Sequence, residues 1–122
     1  MVKNERIICQ SEELVEGGKG VRFERVSASG VESAFAVRYD GKPFAYTNRC
    51  GHIPVELDWQ PGEFFDYSGL YLICATHGAL YAPESGRCVA GRCAGKGLQP
   101  VPVTEHDGKI FMTEEGESGE RQ

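Results

Sequence analysis

Two short stretches, Cys50-Gly-His52 in "NRCGHIPVE" and Cys74-Ala-Thr-His77 in "ICATHGALY", each set a cysteine close to a histidine, with 21 residues between the pairs. Thiolate and imidazole donors suit zinc, copper, iron and iron–sulfur clusters, so the pattern says metal before it says which metal. It also restricts the fold, because two separated loop tips must reach one point. Rigid strands that end side by side meet that demand, presenting their loops where a partner can reach them.

The rest of the chain agrees with strands. Sixteen glycines and six prolines are scattered among 122 residues without a repeat, a pattern of short strands and tight turns and an all-β class. At 40% hydrophobic residues the chain closes one modest core, which predicts a single domain over residues 1–112. "SEELVEGG" predicts one helical turn capped by Ser11 and stopped at Gly17-Gly18. "GVRFERV" (20–26), "SAFAVRYD" (33–40) and "FAYT" (44–47) read as an antiparallel meander with a turn in "DGKP" (40–43). Further hairpins are expected at Ser68-Gly69, Ser85-Gly86 and Asp107-Gly108. Both donor pairs then fall on loops: the first just after a strand, the second between two strands. The tail 113–122, "TEEGESGERQ", has no aliphatic or aromatic side chain and is expected to be poorly ordered.

Charge and cysteine usage narrow the function. A net charge of −5 without a Lys/Arg cluster argues against nucleic acid as a partner. The amino-terminal "MVKNERIICQSEE" has no apolar h-region, and the longest apolar run, "LYLICA" (70–75), is too short to span a bilayer; the expectation is a cytoplasmic protein with no membrane anchor. Five cysteines cannot all pair within one chain, and in a reducing compartment such spacings bind metal or do redox work.

Cys-x-His followed by Cys-x-x-His-Gly, here "CGH" and "CATHG", resembles the signature of the Rieske 2Fe-2S proteins, in which two cysteines hold one iron and two histidines the other. The single-residue gap of the first pair is unusual for zinc ribbons and fingers. The stretch "SGRCVAGRCAGKGLQPVPV" (85–103) is similar to the downstream part of Rieske ferredoxins, so the likeness extends over about residues 5–112. It implies an antiparallel β-sandwich with a small cluster-binding subdomain made by two ligand loops. It also implies one 2Fe-2S cluster per chain, held by Cys50, His52, Cys74 and His77.

Charge counting supports the chemistry. Two ferric ions, two sulfides and two thiolates sum to zero, whereas four thiolates leave the same core at −2, so the imidazole-bound form accepts an electron more readily. The added electron is expected on the His52/His77 iron, and loss of the histidines' remaining ring protons is expected to lower the potential at alkaline pH. Respiratory members of the family carry a serine and a tyrosine after the second histidine as hydroxyl donors to sulfur, and an extra cysteine in each loop. Here Ala79 stands at the serine position and Tyr81 at the tyrosine position, where sulfur hydrogen bonding and simple packing both remain as readings. Neither loop has a further cysteine. These departures place the expected potential in the low-to-middle part of a range of roughly −150 to +300 mV.

The resemblance therefore implies a Rieske-type ferredoxin, not an enzyme in itself. It would take electrons from a reductase and deliver them to an oxygenase or similar acceptor, with Ile53, Pro54, Ala79 and Leu80 shielding the cluster and forming a small docking patch. The alternatives are the small Rieske subunit of a nitrite reductase-like complex and a structural zinc module. Among the other conspicuous residues, Cys9 is read as core. Cys88 and Cys93 are read as free buried thiols without a role, in preference to a small disulfide or a redox pair. His106 is read as a solvent-facing hairpin residue, and Trp59, Phe64 and Phe65 as packing. "GRCAGKG" (91–97) lacks the spacing and hydroxyl of a phosphate loop.

Overall fold

The computed structural model describes residues 4–27, 30–49, 57, 62–66, 68–74, 78–91 and 97–114. The strands of these residues are β1 (Asn4–Gln10), β2 (Val21–Ser27), β3 (Gly30–Tyr39), β4 (Lys42–Thr47), β5 (Leu72–Ile73), β6 (Leu80–Tyr81), β7 (Cys88–Ala90), β8 (Val103–His106) and β9 (Lys109–Glu114). They form three antiparallel sheets, ordered β1-β9-β8, β2-β3-β4 and β5-β6-β7. The turn expected in "DGKP" is present and is made by Asp40-Gly41, and the hairpin expected around Asp107-Gly108 is present too, with positive φ at both residues of each turn, the conformation that matches strand twist in a two-residue hairpin.

The β2-β3-β4 sheet separates two cores, and side-chain alternation along β3 supplies both. Ala34 and Ala36 face one cluster with Cys9, Leu14, Ala45, Val101, Ile110 and Met112, which closes this sheet against β1-β9-β8. Phe35 and Val37 face the other, with Tyr46, Leu57, Phe64, Leu72, Cys74, Ala79, Tyr81 and Leu98, which joins the small β5-β6-β7 sheet to the body. Alanines of the middle sheet face the first cluster; its larger side chains face the second. Phe35 stacks on Phe64 with ring centroids 4.0 Å apart, so Phe64 is packing, as expected. Each of these aromatic rings, fully buried, is worth several kcal/mol against truncation to alanine, of order 3–5.

The middle sheet is continued along β4. Thr47 N–H donates to the Gln99 carbonyl at 2.9 Å and Val101 N–H to Ala45 at 2.9 Å, flanking a bridge between Tyr46 and Pro100. The residues that lead into β8 thus pair with β4 and tie the two large sheets together. Tyr46 then reaches across the second core, its hydroxyl donating to the Pro83 carbonyl at 2.6 Å.

Three details depart from expectation. The short helix is a single 3-10 turn, Ser11–Glu13, with Gln10 rather than Ser11 as its cap. β1 runs to Gln10, which already has the extended backbone a cap needs, and Glu13 accepts its N–H at 2.9 Å. The helix stops before Gly17 because Leu14 turns into the core, where it is 3% exposed. Finally, Thr113 and Glu114, read as tail, belong to β9, where they pair with Glu5 and Asn4. The β1 strand lies alongside and supplies their backbone partners. Residues 115–122 lie outside the described residues.

Arg38, at the end of β3, ties this end of the molecule together. Its guanidinium donates to both oxygens of Glu105, at 3.1 and 2.7 Å, and to the carbonyls of Leu14, Ser11 and Gly41. The Arg38 bond holds the Glu105 carboxyl below its usual range. A carboxyl lowered in this way adds stability above the unfolded carboxylate range, and that stability is lost as pH falls through the lower native value. Arg38→Ala is expected to cost about 2 kcal/mol in urea denaturation, since the charge-assisted bonds to Glu105 are lost and the part-buried Leu14 carbonyl loses its side-chain donor. The same variant is expected to flatten the acid dependence of stability.

Cys9 is buried, as expected, and burial first, then the Glu13 charge, pushes its thiol up to about 11. The native state therefore holds that proton more tightly than the unfolded chain. Its contribution is full below the unfolded value of about 9 and is lost as pH rises toward about 11. Cys9→Ala is expected to remove this alkaline fall, read as urea midpoints across that window.

Candidate metal centre

The first donor pair follows directly from β4. Thr47, paired with Ala34 on one edge and Gln99 on the other, is followed by Asn48, whose N–H donates to the Ser33 carbonyl at 2.8 Å. The strand is held to its last residue, so the chain enters the loop in a determined direction. Asn48 is 4% exposed, and its side-chain carbonyl accepts the Leu57 N–H at 2.9 Å. That bond closes the base of the segment 49–56, which contains Cys50 and His52. These two residues themselves lie outside the described residues.

The second pair is built by the small sheet. β5 runs into Cys74, whose N–H donates to the Ala79 carbonyl at 2.9 Å, while its own carbonyl accepts the Gly78 N–H at 2.7 Å. These two bonds close the turn that leads into β6. Gly78 carries φ of +71°, a conformation open to glycine, which accounts for the glycine after the second histidine. His77 lies outside the described residues. Cys74 is fully buried and is a thiol rather than a disulfide sulfur.

Leu57 and Cys74 share one apolar cluster with Phe64, Ala79 and Tyr81. The bases of both loops therefore meet over the same core, although the sequence separates them. A thiolate in such apolar surroundings carries a large desolvation cost, which a bound cation offsets. The donor at position 74 thus fits a soft metal centre. The hydrophobic wall keeps water from the sulfur, a condition that tunes the potential of such a centre. A third segment packs on the second loop: a Cβ on Gly91 would stand 2.8 Å from the Ala79 Cα, so only glycine permits this approach.

Of the site residues expected from sequence, the structure places Cys74 at a loop base in the core and Tyr81 beside it, fully buried in β6. Ala79 is also fully buried and has no surface to offer a docking patch, because β6 and Gly91 cover it; Leu80 is half-buried. Ile53 and Pro54 lie outside the described residues, as does Trp59. Cys88 is not a free core thiol: it is disulfide-bonded and only half-buried on β7, the outer strand of the small sheet. That position lacks the enclosure that keeps a thiol unreactive, and the partner sulfur lies outside the described residues. His106 is exposed in its hairpin, its ring stacked on Phe111 at 4.2 Å. Asn48 and Leu57 were not singled out by the sequence. The signal in the sequence was an amide side chain two residues before Cys50.

The model of the Rieske [2Fe-2S] domain matches residues 4–111. Comparison with the curated proteins gives no match. Among solved structures, the chain superposes on the Sphingomonas yanoikuyae B1 ferredoxin with a TM-score of 0.73 and 21% identity, covering 92% of this chain and 100% of that one. The ferredoxin of carbazole 1,9a-dioxygenase from Nocardioides aromaticivorans IC177 gives 0.70 and 18%, covering 92% and 99%. The terminal oxygenase of carbazole 1,9a-dioxygenase from Novosphingobium sp. KA1 gives 0.72 and 26%, covering 89% of this chain but 29% of that one. At the identities of the two ferredoxins the likeness is one of fold, and it confirms the Rieske-like arrangement of a β-sandwich with a smaller cluster-binding end. A family match that takes in nearly all of the strands described above, β1 through β9, shows that this chain belongs to the Rieske [2Fe-2S] domain family.

Proposed function

We propose that the protein is a Rieske-type ferredoxin, a one-electron carrier that links a reductase to an oxygenase or similar acceptor. Cys50 and Cys74 are the thiolate ligands of one iron, and His52 and His77 the imidazole ligands of the other. The observation that carries this reading is the Cys74 thiol, enclosed in an apolar core at the base of one loop, with the base of the Cys50/His52 loop closed onto the same core. Two thiolates and two imidazoles are the donor set of the family. Further support comes from the superposition on the whole of the Sphingomonas ferredoxin, and on a ferredoxin that serves a carbazole dioxygenase.

The bound 2Fe-2S cluster supplies a site that accepts and releases one electron at a potential raised by its neutral imidazole ligands. The chain supplies everything else. Cys74 presents its sulfur from within the core, and Leu57, Phe64 and Tyr81 exclude water beneath it. Ala79, lacking a hydroxyl, gives sulfur no donor at its position, which keeps the potential in the low-to-middle part of the family range. The protein is a component of an oxygenase or reductase system rather than a catalyst. Its contacts with partners are small and short-lived, as electron transfer requires. A cytoplasmic location belongs to the same proposal; no helix of the described residues is long and apolar enough to cross a membrane.

Protein reconstituted anaerobically is expected to be brown, to hold about two irons and two sulfides per chain, and to give a rhombic resonance signal on reduction. Cys74→Ser is expected to lose the colour and the signal while the strand content, read by far-UV circular dichroism, stays. A colourless protein holding one tetrahedral zinc would replace this reading with that of a structural zinc module. Stable co-purification with a large catalytic subunit would favour the nitrite reductase-like complex.

A further inference from the structure

The two loop bases are closed by different means. Around Cys74, backbone bonds to Gly78 and Ala79 make the closure. At the first loop one side chain does it. The Asn48 carbonyl and the Leu57 N–H, nine positions apart in sequence, meet at 2.9 Å in a buried environment. Both ends of this bond are anchored independently. Asn48 is fixed to β3 through Ser33, and Leu57 is fully enclosed in the second core.

We infer that Asn48 is the positioning residue of the first ligand loop: by holding the Leu57 amide, it sets the geometry in which Cys50 and His52 meet the metal. The inference rests on the reading of those two residues as ligands. Its physical basis is as follows. Leu57 is 0% exposed, so its N–H has no water to turn to and depends on an acceptor from the protein. Segment 49–56 contains both donors and has its ends brought together by this bond, which removes most of the conformations open to a free loop of that length. A metal centre tolerates ligand displacement of only about 0.5 Å, so a loop freed at its base spoils the site before it unfolds the protein.

Asn48→Ala removes the acceptor, and Asn48→Asp keeps an oxygen at the same reach. Arg38→Ala is the control for stability alone, since Arg38 lies toward the other end of β3 from Ser33 and makes its bonds there. Three readouts apply: bleaching of the visible absorbance in chelator, the line shape of the reduced resonance signal, and hydrogen exchange at the Leu57 amide. In Asn48→Ala, bleaching and Leu57 exchange are expected to rise by about tenfold or more, the ratio that corresponds to an orphaned buried donor, and the resonance lines to broaden. Asn48→Asp is expected to restore retention and line shape to within about twofold of the parent while lowering the potential through its added charge. Arg38→Ala is expected to keep the parent's bleaching rate and line shape despite its loss of stability.

An Asn48→Ala protein with the parent's line shape and bleaching rate would overturn the inference, as would losses in Asn48→Ala and Arg38→Ala that scale only with stability. Should Asn48→Ala fail to fold, Asn48→Ser, whose hydroxyl falls short of the Leu57 amide, carries the same expectations. If the parent itself binds no diiron centre, the proposed function fails. Leu57 exchange in the metal-free chain then still decides whether the latch exists, and a Leu57 amide equally protected in parent and Asn48→Ala would refute it.

Discussion

Strand β4 is paired along both edges, with β3 through its whole length and with residues 99–101 at its carboxyl end. A buried backbone group without a partner is costly, so a strand bound on both sides has one position and one direction of exit. That constraint reaches in two directions. It joins the middle sheet to the segment that becomes β8, uniting the two large sheets. It also delivers Asn48 to a determined place at the threshold of the segment that holds Cys50 and His52. Had β4 been an edge strand, the loop would begin from a frayed end.

The middle sheet is covered on both faces, an uncommon duty for an antiparallel sheet, which more often turns one face to water. The sequence manages it by giving the two faces different sizes. Ala34, Ala36 and Ala45 pack toward the β1-β9-β8 sheet, while Phe35, Val37 and Tyr46 pack toward the small sheet. Leu57 and Cys74, at the bases of the two segments that hold the Cys/His pairs, lie in the second of these cores. Its bulk therefore does two things: it stabilises the fold, and it surrounds Cys74 with apolar side chains.

Local signals in the sequence were read well where the physics is local. Asp40-Gly41 and Asp107-Gly108 turn as predicted, since a two-residue hairpin needs positive φ that these residue types accept. The position of Cys74 at a strand-to-strand connection was likewise legible from spacing. Misreadings arose where the outcome depends on distant neighbours. Ala79 looked available for docking, but Gly91 covers it; Cys88 looked like a core thiol, but the small sheet leaves it half outside and disulfide-bonded; Thr113 looked like tail, but β1 supplies it a partner. Arg38 and Glu105, 67 residues apart, carry no sequence sign that they will form a bidentate pair.

By itself the sequence determined the class of the fold, the turns, the family and the kinds of donor atom available, because each of these follows from side-chain chemistry and spacing within a few residues. Only the tertiary structure decided that Leu57 and Cys74 share one core, that an amide side chain closes the first loop, and which apolar residues are walls rather than surface. Those are contacts between segments remote along the chain. They are selected by burial and by the need to satisfy enclosed polar groups, which act on the folded whole and leave no pattern in a single stretch of residues.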